Sequence, residues 1–210
     1  MQIVVLADAL QKEELLNGAT ASNVIWVEDA QDFLQHKEAD AFIDLKFIDE
    51  EAHKSILQQL LPKLVVVNSV VDTLSELAQP FVRINGWRTF LSSAIIEAAT
   101  ADEEAKQKTE TVFAVFSRKI EWLSDDPGFI TPRVVSMIIN EAFISLSESV
   151  STKEEINTAM KLGTAYPYGP FEWAEKIGEQ NIVTLLQKLS ASQSRYTPAE
   201  LLVQEAGKVI

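Results

Sequence analysis

The chain has 210 residues, with 18 Lys and Arg against 31 Asp and Glu, two His, no Cys and a formal charge of −13. That length suits one or two domains with a sizeable core, and the lack of Cys excludes disulfides, thiolate metal sites and Cys nucleophiles. The acidic balance argues against nucleic-acid or anionic-membrane binding, and a site for any anionic ligand would need a local basic patch.

No stretch resembles a signal peptide, and the strongest apolar run, 64–67, is far short of a membrane span; a cytoplasmic protein is expected. Residues 3–6, 23–27, 41–45, 64–68 and 81–84 read as strands, with helical patterns at 11–17, 49–61 and 72–78. Further strands at 93–98 and 119–123 flank a polar helix from 102 to about 115. This alternation predicts a mostly parallel sheet covered by helices. The turn from Ser124 to Gly128 marks a boundary, giving an α/β domain at 1–124 and a helical domain at 125–210.

In the second part Thr131-Pro132 reads as an N-cap followed by Pro at the first helical position. Polar residues of 133–148 keep to one half of the helical wheel, interrupted by Val134, Met137 and Ile144, and the other half is apolar, which predicts burial on more than one side. Ser151 with Glu154, or Thr152 with Glu155, makes a capping box for a second helix, and Gly163 is placed to end it. The Tyr166-Pro167-Tyr168-Gly169-Pro170 turn leads into a third helix ending near Gly178. Thr197-Pro198-Ala199-Glu200 repeats the cap signature for a last one.

Asp126-Pro127-Gly128-Phe129-Ile130-Thr131-Pro132-Arg133, Asn140-Glu141-Ala142, the 155–163 segment and Tyr166-Pro167-Tyr168-Gly169-Pro170-Phe171-Glu172-Trp173 stand in an order and spacing that closely resemble the C-terminal helical domain of the 3-hydroxyacyl-CoA dehydrogenases, including the bacterial 3-hydroxybutyryl-CoA dehydrogenases. The resemblance implies a Rossmann-like sheet followed by an all-α domain of the 6-phosphogluconate dehydrogenase C-terminal-like type. It also implies a homodimer through the helical domain, NAD as cofactor and acyl-CoA ligands.

The first part departs from that pattern. A dinucleotide site needs a glycine-rich turn after the first strand, so that backbone amides can approach the pyrophosphate. Here the turn reads Ala7-Asp8-Ala9-Leu10-Gln11, where Asp8 would repel a phosphate, and only Gly18 and Gly86 precede Gly128. Glu28, at the end of the second strand, is the candidate for the acid that binds a ribose hydroxyl, though a solvated turn residue is the commoner role. The family's helical arm between the second and third strands, part of its acyl-CoA site, is reduced to residues 28–40.

The family uses a His as general base on the 3-hydroxyl and a Glu twelve residues later to orient it. Glu97 matches that Glu, and twelve residues before it stands Asn85, an amide with no proton to exchange near neutral pH. The family's substrate-binding Ser falls on Val70 and its Asn on Pro132. His36 and His53 read as solvated surface residues, and Glu97 can also be read as a strand-end acid paired with Arg88 or Arg83. Arg83, Arg88, Arg118, Lys119 and Arg133 either converge on an anion near the domain junction or sit in separate salt bridges. No metal site is predicted. The favoured expectation is a family member that dimerises without a cofactor or catalysis and binds an acyl-CoA-like ligand or another protein. The second reading is an active NAD-dependent 3-hydroxyacyl-CoA (3-hydroxybutyryl-CoA) dehydrogenase with an atypical site.

Overall fold

A computed structural model describes residues 1–208, and the chain divides into two units, Met1–Phe129 and Ile130–Ile210. In the first unit the short runs of Val, Ile and Leu become strands because such side chains pack well on a pleated surface buried on both faces. The elements are β1 (Ile3–Leu6), α1 (Ala9–Leu16), β2 (Val24–Val27), a 3-10 helix (Ala30–His36), β3 (Ala41–Asp44), α2 (Glu51–Gln58), β4 (Leu64–Asn68), α3 (Leu74–Leu77), β5 (Val82–Ile84), β6 (Ile95–Ala99), α4 (Glu103–Ala114) and β7 (Lys119–Trp122). Every strand lies where the sequence placed it, to within two residues at each end.

The sheet runs in the order β2-β1-β3-β4-β5-β6-β7, and only the β5–β6 pair is antiparallel. Alternation along the strands divides the core between two faces. Ile3, Val5, Ile43 and Val66 share one face with Phe113 and Phe116. Val4, Leu6, Phe42 and Val67 share the other with Phe33 of the 3-10 helix and Leu57 of α2. Because the chain leaves β1 toward β2 on one side and returns to β3 on the other, the crevice over the end of β1 is the fold's switch point.

The division falls at Phe129, a few residues beyond the expected boundary at 124, because side chains tie 125–129 to the sheet. The Asp125 carboxylate accepts from Arg83 Nη1 at 2.7 Å and from the Leu74 amide at 2.9 Å. The Gly128 amide donates to the Val70 carbonyl at 2.8 Å. The Arg83 guanidinium lies 4.3 Å from the centroid of the Phe129 ring.

The second unit consists of α5 (Thr131–Ser147), α6 (Lys153–Thr164), α7 (Pro170–Ile177), α8 (Glu179–Ser190), a 3-10 turn (Ser194–Tyr196) and α9 (Glu200–Ala206). Phe143 of α5 meets Phe171 of α7 edge-on, with centroids 4.9 Å apart. Several local expectations are corrected. Thr131 is the first helical residue rather than the cap, and Ile130 precedes it without a side-chain bond. Of the two capping boxes, Thr152 with Glu155 forms. Gly163 lies inside α6, which ends on Ala165 in the left-handed region at φ 57°. The last helix starts at Glu200 rather than behind Thr197, because Asn140 of α5 takes hold of the preceding backbone: its Nδ2 donates to the Thr197 carbonyl at 3.0 Å and its Oδ1 accepts from the Ala199 amide at 2.7 Å. No helix among the described residues is long and apolar enough to cross a membrane.

Candidate functional site

Sheet register brings Asn85 and Glu97 together. β5 and β6 pair Arg83 with Ala99 and Ile84 with Ala98, so the next antiparallel step sets residue 85 against residue 97. The Asn85 amide donates to the Glu97 carbonyl at 2.9 Å, and Asn85 Nδ2 donates to Glu97 Oε2 at 3.1 Å. Both residues are buried. A spacing of twelve residues is thus the length of chain needed to reverse direction and return. The next residue, Gly86, donates its amide to Asn68 Oδ1 at 2.9 Å, and a Cβ there would stand 2.7 Å from the Asn68 side chain. Only glycine fits at that position.

The remaining expected residues separate. Val70 is buried and contributes its carbonyl, which accepts from Gly128 N and, at 3.4 Å, from Arg83 Nη2. Pro132 lies in the first turn of α5. Glu28 is exposed beyond β2, and its carbonyl accepts from Lys46 Nζ at 3.0 Å. Neither suggested arginine partner of Glu97 serves it in the bonds that define these side chains. Arg83, fully buried, donates to Asp125 and to the carbonyls of Ser69, Val70 and Asp126. Arg88 stands 3.8 Å from Glu14. Arg118 donates to the carbonyls of Leu91, Glu14 and Leu15. The first unit's arginines are therefore committed to separate internal partners rather than to one anion site. Residues 1–129 carry 22 acidic against 11 basic side chains, so most of the negative charge falls on this unit.

Over the end of β1 the chain's own side chains bond to neighbouring backbone. The Asp8 carboxylate accepts from the Leu10 and Gln11 amides, each at 2.8 Å, so two donors at the N-terminus of α1 are already satisfied. Gln11, nearly buried, accepts from Asp8 N at 3.0 Å and donates to the Leu45 carbonyl beyond β3 at 2.8 Å. Lys46, two residues past β3, reaches the carbonyl that ends β2 on the far side of β1. Sequence reading noted the repulsion by Asp8 but missed both bridges, because nothing local pairs Gln11 with Leu45 or Lys46 with Glu28.

His53 is not the solvated residue expected from sequence. Its Nε2 lies 2.6 Å from Asp44 Oδ2, with the Asp44 side chain fully buried and that of His53 only 15% exposed. Asp44 ends β3 and His53 sits in the first turns of α2, so the strand-to-helix connection creates the pair. An acid at a strand end with a His nine residues on was the available signal. His36, on the 3-10 helix, is half-buried.

In the second unit a groove of about 600 Å³ is lined chiefly by Val134, Met137, Ile138, Ile156, Met160 and Tyr196, with Arg133, Glu141 and Arg195 also contributing. Val134 is 52% exposed, a large apolar side chain open at this surface.

The first unit is thus a Rossmann-like, mostly parallel sheet with a buried Asn–Glu pair, and the second a set of helices built on one long helix. Residues 128–207 match the family model of the 3-hydroxyacyl-CoA dehydrogenase C-terminal domain. The chain is 38% identical over 114 residues to the 3-hydroxyadipyl-CoA dehydrogenase of Escherichia coli, covering 53% of this chain and 24% of that protein. It is 34% identical over 117 residues to the 3-hydroxybutyryl-CoA dehydrogenase of Bradyrhizobium diazoefficiens, covering 54% and 40%. The matched segment therefore spans less than half the length of either relative. The fold is similar to that of the (S)-3-hydroxybutyryl-CoA dehydrogenase of Ralstonia eutropha, with a TM-score of 0.74 and 20% identity over 99% of this chain and 86% of that one. Residues 128–207 thus carry the C-terminal domain of the 3-hydroxyacyl-CoA dehydrogenases, and the chain as a whole is similar to them in fold.

Proposed function

We propose that this family member has lost NAD binding and catalysis and acts as a non-catalytic binding or regulatory homodimer in the cytoplasm, with an acyl-CoA-like molecule or another protein as its ligand. The observation that carries this reading is the amide at position 85. The family's reaction requires a group that takes the hydroxyl proton, a contribution worth roughly 10²- to 10⁴-fold. Asn85 faces Glu97 as the family's His would, but its Nδ2 is a neutral donor that does not take up a proton near neutral pH.

The cofactor side supports the same reading. NAD does not fit the β1–α1 turn, where Asp8 holds the Leu10 and Gln11 amides and sets a carboxylate against the incoming pyrophosphate. Gln11 and Lys46 bridge to backbone carbonyls over the end of β1, and the β2–β3 link is a single 3-10 helix in place of the arm. These losses fall on separate requirements, so no single local change restores them together.

One observation favours the second reading, an active NAD-dependent dehydrogenase with an atypical site: the acid at 97 is kept, and in register with position 85. Saturation binding of NADH and of acetoacetyl-CoA, followed by an absorbance assay of NADH consumption, separates the two. The expected result is no NADH binding and no turnover. Oxidation of 3-hydroxybutyryl-CoA with NAD at an ordinary enzymatic rate would overturn the proposal.

The homodimer is supported by the apolar groove of α5 and α6, an open surface of the kind that self-association covers. Light scattering at micromolar concentration is expected to give about twice the chain mass of 23.4 kDa. A monomer mass would count directly against it.

A further inference from the structure

We propose that Asp44 and His53 form a proton-dependent latch that holds the β3–α2 corner closed. The geometry comes first. Asp44 has no exposed surface, and its two oxygens are divided: Oδ1 accepts from the Lys46 amide at 3.0 Å and Oδ2 meets His53 Nε2 at 2.6 Å. Lys46 in turn reaches the Glu28 carbonyl, so one carboxylate organises both the turn after β3 and the strap across the end of β1. The Phe47 ring packs edge-on against the imidazole, with centroids 5.4 Å apart, and shields the pair.

A carboxylate in this position is costly unless a positive charge accompanies it, and the imidazolium is the group in direct contact. The other charges facing the pair are Lys46 beyond β3, Asp29 at the start of the 3-10 helix and Glu50 ahead of α2. The two further acids favour the protonated imidazole as well. Hydrogen bonding to Asp44 raises the His53 pKa against the opposing effect of its own burial, and desolvation raises that of Asp44. The pair therefore keeps a proton to higher pH than a free imidazole does.

The sign of the linkage follows. A His with a raised folded pKa contributes stability that is complete below the unfolded value of about 6.5 and is lost as pH rises through the folded value. Above that point Asp44 remains buried and charged without its imidazolium, and the corner opens. The latch touches neither Asn85 nor Glu97, and it shares with the proposed function only the Lys46 strap across the end of β1.

The test uses the full chain in a His36→Gln background, where His53 is the sole imidazole, followed by NMR across neutral pH. The expected midpoint lies above 6.5 and drops on Asp44→Asn. Within that window the unfolding constant should rise by up to about tenfold per pH unit, and hydrogen exchange of residues 44–58 should quicken, beyond its intrinsic pH dependence, before that of the sheet. Should Asp44→Asn fail to fold, His53→Gln serves instead and is expected to abolish the pH-dependent rise. A His53 midpoint unmoved by Asp44→Asn, or an undiminished rise in His53→Gln, would overturn the proposal.

Discussion

Arg83 shows how much a single side chain can organise. Burial lowers the pKa of its guanidinium while Asp125 opposes that shift, and three carbonyls take further N–H groups. Arg83→Met would take a donor from all four acceptors, leaving Asp125 only the Leu74 amide and Val70 only the Gly128 amide, an expected loss of about 3–5 kcal/mol, read as a lower urea midpoint at an unchanged slope. A parental midpoint would show that the network adds nothing. Asn85→His is a second test at this scale. It returns an imidazole to a position facing Glu97, yet NADH-linked turnover is expected to stay at background because the β1–α1 turn is unchanged. Turnover in that variant would mean that the dinucleotide finds donors other than Leu10 and Gln11.

At the scale of the element, the chain's departures from expectation share a cause. Asn157 of α6 reaches across to α7, where its Oδ1 accepts from the Phe171 amide at 3.0 Å, and a Cβ at Gly169 would collide with it. Gly169→Ala should therefore displace the start of α7 and cost about 1–3 kcal/mol, seen as a lower midpoint in thermal unfolding; an unchanged midpoint would show that the turn can give way. The cap expected at Thr197 fails for the same kind of reason, since Asn140 holds that backbone from another helix. Sequence reading also passed over α8, although Ile182, Leu185, Leu186 and Leu189 repeat at helical spacing and are all buried.

For the whole molecule, charge and apolar surface are unevenly divided. The first unit carries a twofold excess of acids, whereas the second offers the groove. If that groove is the dimer contact, Met137→Glu should bring the mass seen by light scattering down to one chain while leaving the helical circular dichroism intact. A dimer that survives this substitution would place the interface elsewhere.

The sequence by itself determined the strands, the missing glycine turn and the alignment that sets Asn85 twelve residues before Glu97. These rest on local patterns: apolar runs, turn residues and fixed spacing along one chain. Only the tertiary structure decided what the side chains do. The bonds from Gln11 to Leu45, Lys46 to Glu28, Arg83 to Asp125 and Arg118 to the α1 carbonyls join residues far apart in sequence. His53 became half of a buried pair because β3 ends and α2 begins facing each other, an outcome of packing that no local composition records. Polar groups buried in a core must find partners wherever the fold brings them, and those partners are set by topology rather than by neighbours in the chain.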